Sequence, residues 1–84
     1  MAKISSELEQ QLKSMPNRKI DLIVRTYGDV KPHLDWLTAE GLQVTQQFRL
    51  SPRVAVTSTG ADALKLIDQE WVRSVEPDAP VHAL

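Results

Sequence analysis

The chain has 84 residues, 42% hydrophobic and 25% charged, with a formal net charge of −1 and no cysteine. That is enough sequence for one small core and too little for two; at this length folding buries about 60–65% of the surface the unfolded chain exposes, and no disulfide adds stability. The charge balance argues against the basic face a nucleic-acid binder needs, and the sequence has neither a secretory apolar region nor a membrane-spanning run, so a soluble cytoplasmic protein is expected, an extracellular one being compatible.

The first segment, ISSELEQQLKSM, carries Ile4, Leu8, Leu12 and Met15 at steps of four, four and three. That spacing makes one helical stripe. Ser5 or Ser6 can cap the helix and Pro16 ends it. The stripe is narrow, so the helix either leans on the rest of the domain or frays.

From Lys19 the pattern changes to KIDLIVRTY, in which Ile20, Leu22 and Val24 alternate with Asp21, Ile23 and Arg25. This is a strand with one buried face. Gly28 and Asp29 break it, and Asp29 can cap a helix from Val30 to Glu40 with Pro32 in its first turn, where the missing N–H is harmless. Val30, Leu34 and Leu37 form its apolar face and Gly41 is its stop.

In LQVTQQFRL, Leu42, Val44, Phe48 and Leu50 fall on one side and Gln43, Thr45, Gln47 and Arg49 on the other, with Gln46 the one breach. A second half-buried strand follows from this alternation. Ser51-Pro52 marks a turn, and RVAVTS supplies a third strand with Val54 and Val56 inward, paired with the second as a hairpin. Thr59 caps a helix that starts at Gly60, with Asp62 three residues on as a shortened capping box. Ala63, Leu64, Ile67 and Trp71 form its buried stripe, and WVRSVE is the closing strand.

The order from Lys19 is strand, helix, strand, strand, helix, strand. It predicts an α+β fold of ferredoxin-like βαββαβ type: a four-stranded antiparallel sheet with two helices on one face, plus an extra N-terminal helix and an extended C-terminal tail. The chain divides into an N-terminal helical extension (1–17), the main domain (18–77) and the tail (78–84). One face of the sheet, carrying Asp21, Ile23, Arg25, Gln43, Thr45, Gln47, Ala55 and Thr57, has no element of this chain to cover it.

Signatures of catalysis are absent from the pattern. No G-x-S-x-G elbow surrounds any serine, and the chain is not expected to be an enzyme. His33 and His82 stand in different regions, away from the short spacing of a metal site, so no metal or other cofactor is expected, and each histidine reads as a surface or partner contact. Gly28, Gly41 and Gly60 each stand alone at the end of an element and do not form a phosphate loop. Trp36 and Trp71 fall in helical patterns while the strands lack paired aromatics, which favours core packing over stacking on RNA bases.

The tail, VEPDAPVHAL, is apolar and twice interrupted by proline, where a terminus is ordinarily polar. Together with VTQQF in the second strand and VAVTST leading into a helix, the closing VRSVEPDAPVHAL resembles the propeptide domain of subtilisin-type serine proteases and the free-standing inhibitors related to it. The resemblance runs from Lys19 to Leu84 and implies a proteinaceous inhibitor whose tail lies in the protease cleft as a product does, adding a strand beside the enzyme's backbone. Carried onto this chain, Leu84 enters the first specificity pocket with its carboxylate at the catalytic serine, His82 and Ala83 run along the cleft, and Val81 fills the apolar fourth pocket.

The resemblance further implies that Glu76 and Asp78 cap helix N-termini on the protease. A carboxylate there meets unpaired N–H groups and a partial positive charge. The bland alternative is that both are ordinary surface acids. Ile23, Arg25, Thr45, Gln47, Ala55 and Thr57 would dock on the same enzyme helices. Two departures stand out: Pro77 lies between the two acids, where family members often carry a further acid, and Met1–Pro16 has no counterpart. A monomer when free is expected, acting as an independent inhibitor in preference to an intramolecular folding helper, with assistance to protease folding a compatible further role. The rival from another class is a regulatory or assembly module of the same fold, which uses the open sheet face for self-association or effector binding and for which Leu84 is dispensable.

Overall fold

A computed structural model describes residues 2–78. Its elements in chain order are β1 (Lys3–Ile4), α1 (Ser6–Ser14), β2 (Lys19–Thr26), α2 (Leu34–Ala39), β3 (Gln43–Gln47), β4 (Arg53–Thr59), α3 (Gly60–Leu64) and β5 (Val72–Pro77). The five strands form one mixed sheet in the order β1-β5-β2-β4-β3. Three helices and a mixed sheet make an α+β domain.

The expected four-stranded antiparallel sheet needs correcting, because β1 pairs parallel with β5 as a fifth strand, Lys3 beside Ser74 and Ile4 beside Val75. Ile4 therefore belongs to a strand and not to the helical stripe. The reason lies in the cap: the Ser5 side chain accepts a hydrogen bond from the Leu8 N–H at 3.1 Å, which starts the helix at Ser6 and leaves the residues before it extended. Those residues cover the outer edge of β5, and the Ala2 N–H donates to the Ile67 carbonyl at 3.2 Å.

Alternation along β2 and β4, and along β5 with an extra residue at Arg73 where its pairing with β2 shifts, sends Leu22, Val24, Val54, Val56, Val72 and Val75 to one side of the sheet, all essentially without solvent exposure. Leu8 and Leu12 of α1, Leu37 of α2, and Ala63 and Leu66 from α3 and the turn after it join them in a single cluster, so the helices share one face. The N-terminal helix leans on the domain, packing against α3, and it supplies two of the core leucines. Full burial of a leucine is worth about 1.5–3 kcal/mol.

The second and third helices are shorter than the sequence predicts, and each carries a 3-10 turn. Lys31–His33 form such a turn before α2, since Pro32 has no N–H and the His33 N–H closes a tight bond to the Val30 carbonyl at 2.9 Å. The Asp29 carboxylate accepts from the Lys31 N–H at 3.1 Å, a turn bond that replaces the expected helix cap: the 3-10 turn begins after Val30 and α2 after His33, neither with a side-chain cap. After α3 the chain tightens into a second 3-10 turn at Lys65–Asp68. Thr59 caps α3 through its Oγ1, which accepts from the Asp62 N–H at 3.3 Å.

Trp71 does not extend the stripe of α3. The Val72 N–H bonds to the Gln69 carbonyl, and Trp71 sits in the turn that this bond closes. There its ring stacks on His33, centroids 4.1 Å apart and nearly parallel, and meets Trp36 edge-on at 5.4 Å. The packing role expected for Trp36 and Trp71 holds, from a different element: both lie partly buried against the core.

A bulge in β3 produces the largest departure from the sequence pattern. Val44 pairs with Val56, but the next pair is Gln46 with Ala55, so Thr45 and Gln46 together oppose one residue. A one-residue slip exchanges faces for everything beyond it. Gln47 pairs with Val54 on the helix face, and the Phe48 N–H bonds to the Arg53 carbonyl, which puts Phe48 in register with the open face. Phe48 is half-buried there, and Leu50, expected inward, is fully exposed.

Candidate functional site

The face of the sheet opposite the helices is built from alternate residues of β2, β4 and β5. Register places Asp21 beside Thr57, Ile23 beside Ala55 and Arg25 beside Arg53, and on the other flank Ile23 beside Glu76 and Arg25 beside Ser74. The centre of the face is thus apolar, Ile23 with Ala55, and polar pairs stand on either side of it. The Thr57 hydroxyl donates to the Asp21 carboxylate, and the Arg25 Nε donates to the Glu76 carboxylate at 3.3 Å.

Among the expected docking residues, Ile23, Arg25, Ala55 and Thr57 share this face. Ala55 is nearly fully buried even though no helix covers it, because its small side chain sits low between larger neighbours. Thr45 lies in the bulge with its hydroxyl donating to the Ala55 carbonyl at 3.2 Å, repairing a ladder position that the bulge disrupts. Gln47 is the exception. The bulge moves it to the helix side of the sheet, and Gln46 takes its place opposite Ala55.

Sequence reading missed Phe48 and Arg53 on this face. The Arg53 guanidinium lies over the Phe48 ring, 4.1 Å from its centroid. The signal for Arg53 is the alternation of β4, which puts it beside Ala55 and Thr57, and the signal for Phe48 is the breach at Gln46. An uninterrupted alternation has no breach, and moving the register by one residue there carries Phe48 to the open face.

Glu76 and Asp78 sit at the end of β5 as exposed side chains. Glu76 is engaged with Arg25, but both groups remain substantially open to water, and exposed ion pairs contribute about 0–1 kcal/mol. Exchanging Arg25 for another partner therefore costs little. Asp78 donates its N–H to the Asp21 carbonyl at 3.0 Å, which ties the chain to β2 one residue after β5 ends. Pro77 pairs in register with Leu22 and bends nothing out of line. Val81, His82, Ala83 and Leu84 lie outside the described residues.

Among the described residues, no group of three His, Cys, Asp or Glu stands close enough to hold a metal ion, and no helix is long and apolar enough to cross a membrane. No family model matches the sequence, and a search of curated proteins finds no match to it.

Proposed function

We propose that this protein inhibits subtilisin-like serine proteases, with residues 81–84 occupying the substrate cleft in the manner of a product and the open sheet face resting on the enzyme. The strand order β5-β2-β4-β3 supports a ferredoxin-like core for that reading, with β1 added at its edge. The observation that carries the reading is the anchorage of the tail's starting point. β5 is an interior strand, held by β1 on one side and β2 on the other, and Asp78 is bonded to Asp21 beyond its end. A segment that continues from a fixed point loses less freedom on binding than one that hangs from a loop.

The mechanism then follows from ordinary recognition. The tail adds a strand to the protease backbone, Val81 and Leu84 fill apolar pockets, and the Leu84 carboxylate lies at the catalytic serine. Leu84 offers no positive charge, so enzymes with trypsin-type pockets are poor targets. Glu76 and Asp78 stand one residue apart in sequence from Pro77, and both present exposed carboxylates that can satisfy helix N-termini on the partner. Inhibition lasts only while the domain stays folded, because the protease cleaves the unfolded chain.

The test is the inhibition constant of the full chain against a subtilisin beside that of a chain ending at Pro80. Inhibition that weakens by about a hundredfold or more on truncation is expected, given that a few anchors carry most of a typical interface's energy. Equal inhibition by both chains, or none by either, sinks the tail mechanism; the open face then becomes the site of a regulatory or assembly module.

A further inference from the structure

At the far end of the sheet from Asp78, the loop between β3 and β4 and the segment after β2 enclose a cleft of about 800 Å³. Its position is fixed by the Thr26 N–H, which donates to the Pro52 carbonyl at 2.8 Å, whereas Asp78 is bonded to Asp21 near the start of β2. Five residues of extended chain separate the two bonds, about 17 Å.

Three cations line this cleft, Lys31, Arg49 and Arg53, against one carboxylate, Asp29. That is a local reversal in a chain of net charge −1. Asp29 is occupied by the Lys31 backbone N–H, and none of the three cations joins an ion pair among the described residues. Arg25, the neighbour of Arg53 across the strands, has Glu76; among the described residues Arg53 has only the Phe48 ring. The Arg53 Nε is shielded from water with no hydrogen-bond partner among the described residues. A buried donor left without an acceptor is uncommon and costs about 1–3 kcal/mol. Leu50, fully exposed, completes the rim.

From this arrangement we propose that the cleft is a docking site for an acidic peptide segment of a partner protein, one that alternates carboxylate and apolar side chains. A carboxylate matches the planar edge of a guanidinium with two parallel hydrogen bonds, and on Arg53 the edge open to it is that of the two terminal nitrogens, since Nε is shielded. Lys31 and Arg49 add charge around it. The apolar neighbour of that carboxylate covers Leu50, for which a free inorganic anion has no use. The site uses none of the tail, and although Phe48 and Arg53 stand on the open sheet face, they lie at its end away from Asp78, so binding by the free chain is read separately from any inhibition constant.

The experiment is a titration of the ¹⁵N-labelled full chain, followed by NMR at the Arg53 Nε–Hε and at the backbone amides of Lys31 and Arg49. The probes are the acetylated, amidated tetrapeptide Glu-Leu-Glu-Leu, its Gln-Leu-Gln-Leu counterpart, and inorganic phosphate. Saturable shifts with the acidic peptide at roughly millimolar concentration, and none with the glutamine peptide, are expected. Arg53→Lys keeps the charge and loses the planar edge, weakening the acidic peptide about tenfold. Arg49→Gln changes an exposed side chain and weakens it about threefold, which keeps the test open if the first variant folds poorly. Absence of saturation with the acidic peptide, equal shifts with the glutamine peptide, or phosphate binding as tightly as the acidic peptide each overturns the proposal.

Discussion

At one end of the sheet a Cβ added to Gly60 would meet the backbone carbonyl oxygens of Leu12 and Met15 at 2.5 and 2.8 Å; at the other, a Cβ on Gly28 would find nothing within 4 Å. The difference extends to the surroundings. Around Gly60 the first N–H groups of α3 donate to the carbonyls of Arg18 and Pro16, so the chain after α1 closes over the start of α3 and satisfies donors that a helix end otherwise leaves to water. Beside Gly28 in the chain, Asp29 begins the lining of the cationic cleft, whose rim carries the exposed Leu50. One end is consumed in holding the N-terminal segment to the domain, and the other keeps charged and apolar groups available to a partner.

The comparison breaks most directly at Leu12. This residue has no solvent exposure and stands in the core cluster beside the β-sheet valines, so Leu12→Ala is expected to lower unfolding stability by about 3–4 kcal/mol, measured by urea denaturation. A loss under about 1 kcal/mol would show that the N-terminal helix is a loose appendage and that the closed end is not closed. Gly60→Ala comes next, at about 2–3 kcal/mol, because both obstructing atoms are backbone and neither can rotate away.

Gly41→Ala sharpens the same contrast with a different mechanism. Gly41 ends the α2 segment at φ 90°, the left-handed region that favours glycine, and an added Cβ would run into the Asp62 carboxylate. Lys65 holds that carboxylate at 3.1 Å and also reaches Glu40 at 3.3 Å, so making room for the Cβ means shifting an exposed ion pair. Hydrogen bonds to Asp62 and then to Glu40 raise the Lys65 pKa above its ordinary value. The expected cost is about 1–2 kcal/mol, with the melting temperature as the check.

How much of this was legible in the sequence depends on how far each signal reaches along the chain. The caps at Ser5 and Thr59 and the turn bond at Asp29 are local, a side chain meeting a backbone N–H two or three residues away, and their residue types announce them. Strands β2 and β4 show their alternation over seven or more residues, which fixes their buried faces. β1 has two residues and therefore no period to detect; it exists because the edge of β5 is there to receive it. The bulge at Thr45 and Gln46 left a trace, but its effect on Gln47, Phe48 and Leu50 depends on pairing with β4, which no local window contains. For the candidate site, the central residues Ile23 and Ala55 followed from period alone, whereas the Arg25–Glu76 contact joins residues 51 positions apart. Arg53 reads as one more surface cation until the neighbours that leave it without an acid are known.

The smallest effect belongs to Gly28, and it is the one that isolates the open end. Its backbone lies outside the left-handed region, its carbonyl accepts from the Thr26 hydroxyl, and open space surrounds the position where a side chain would start. Alanine there keeps every folded-state contact and removes backbone freedom from the unfolded chain, which stabilises by about 0.4–1 kcal/mol. The same substitution thus has opposite signs at the two ends of the sheet, a loss at Gly60 and a small gain at Gly28. Measured side by side in one denaturation series, a loss at Gly28 comparable to that at Gly60 would mean that the loops around the cleft are as tightly packed as the junction of α1 with α3. A cleft so closed has no room for a peptide, so the sign at Gly28 bears on binding as well as on stability.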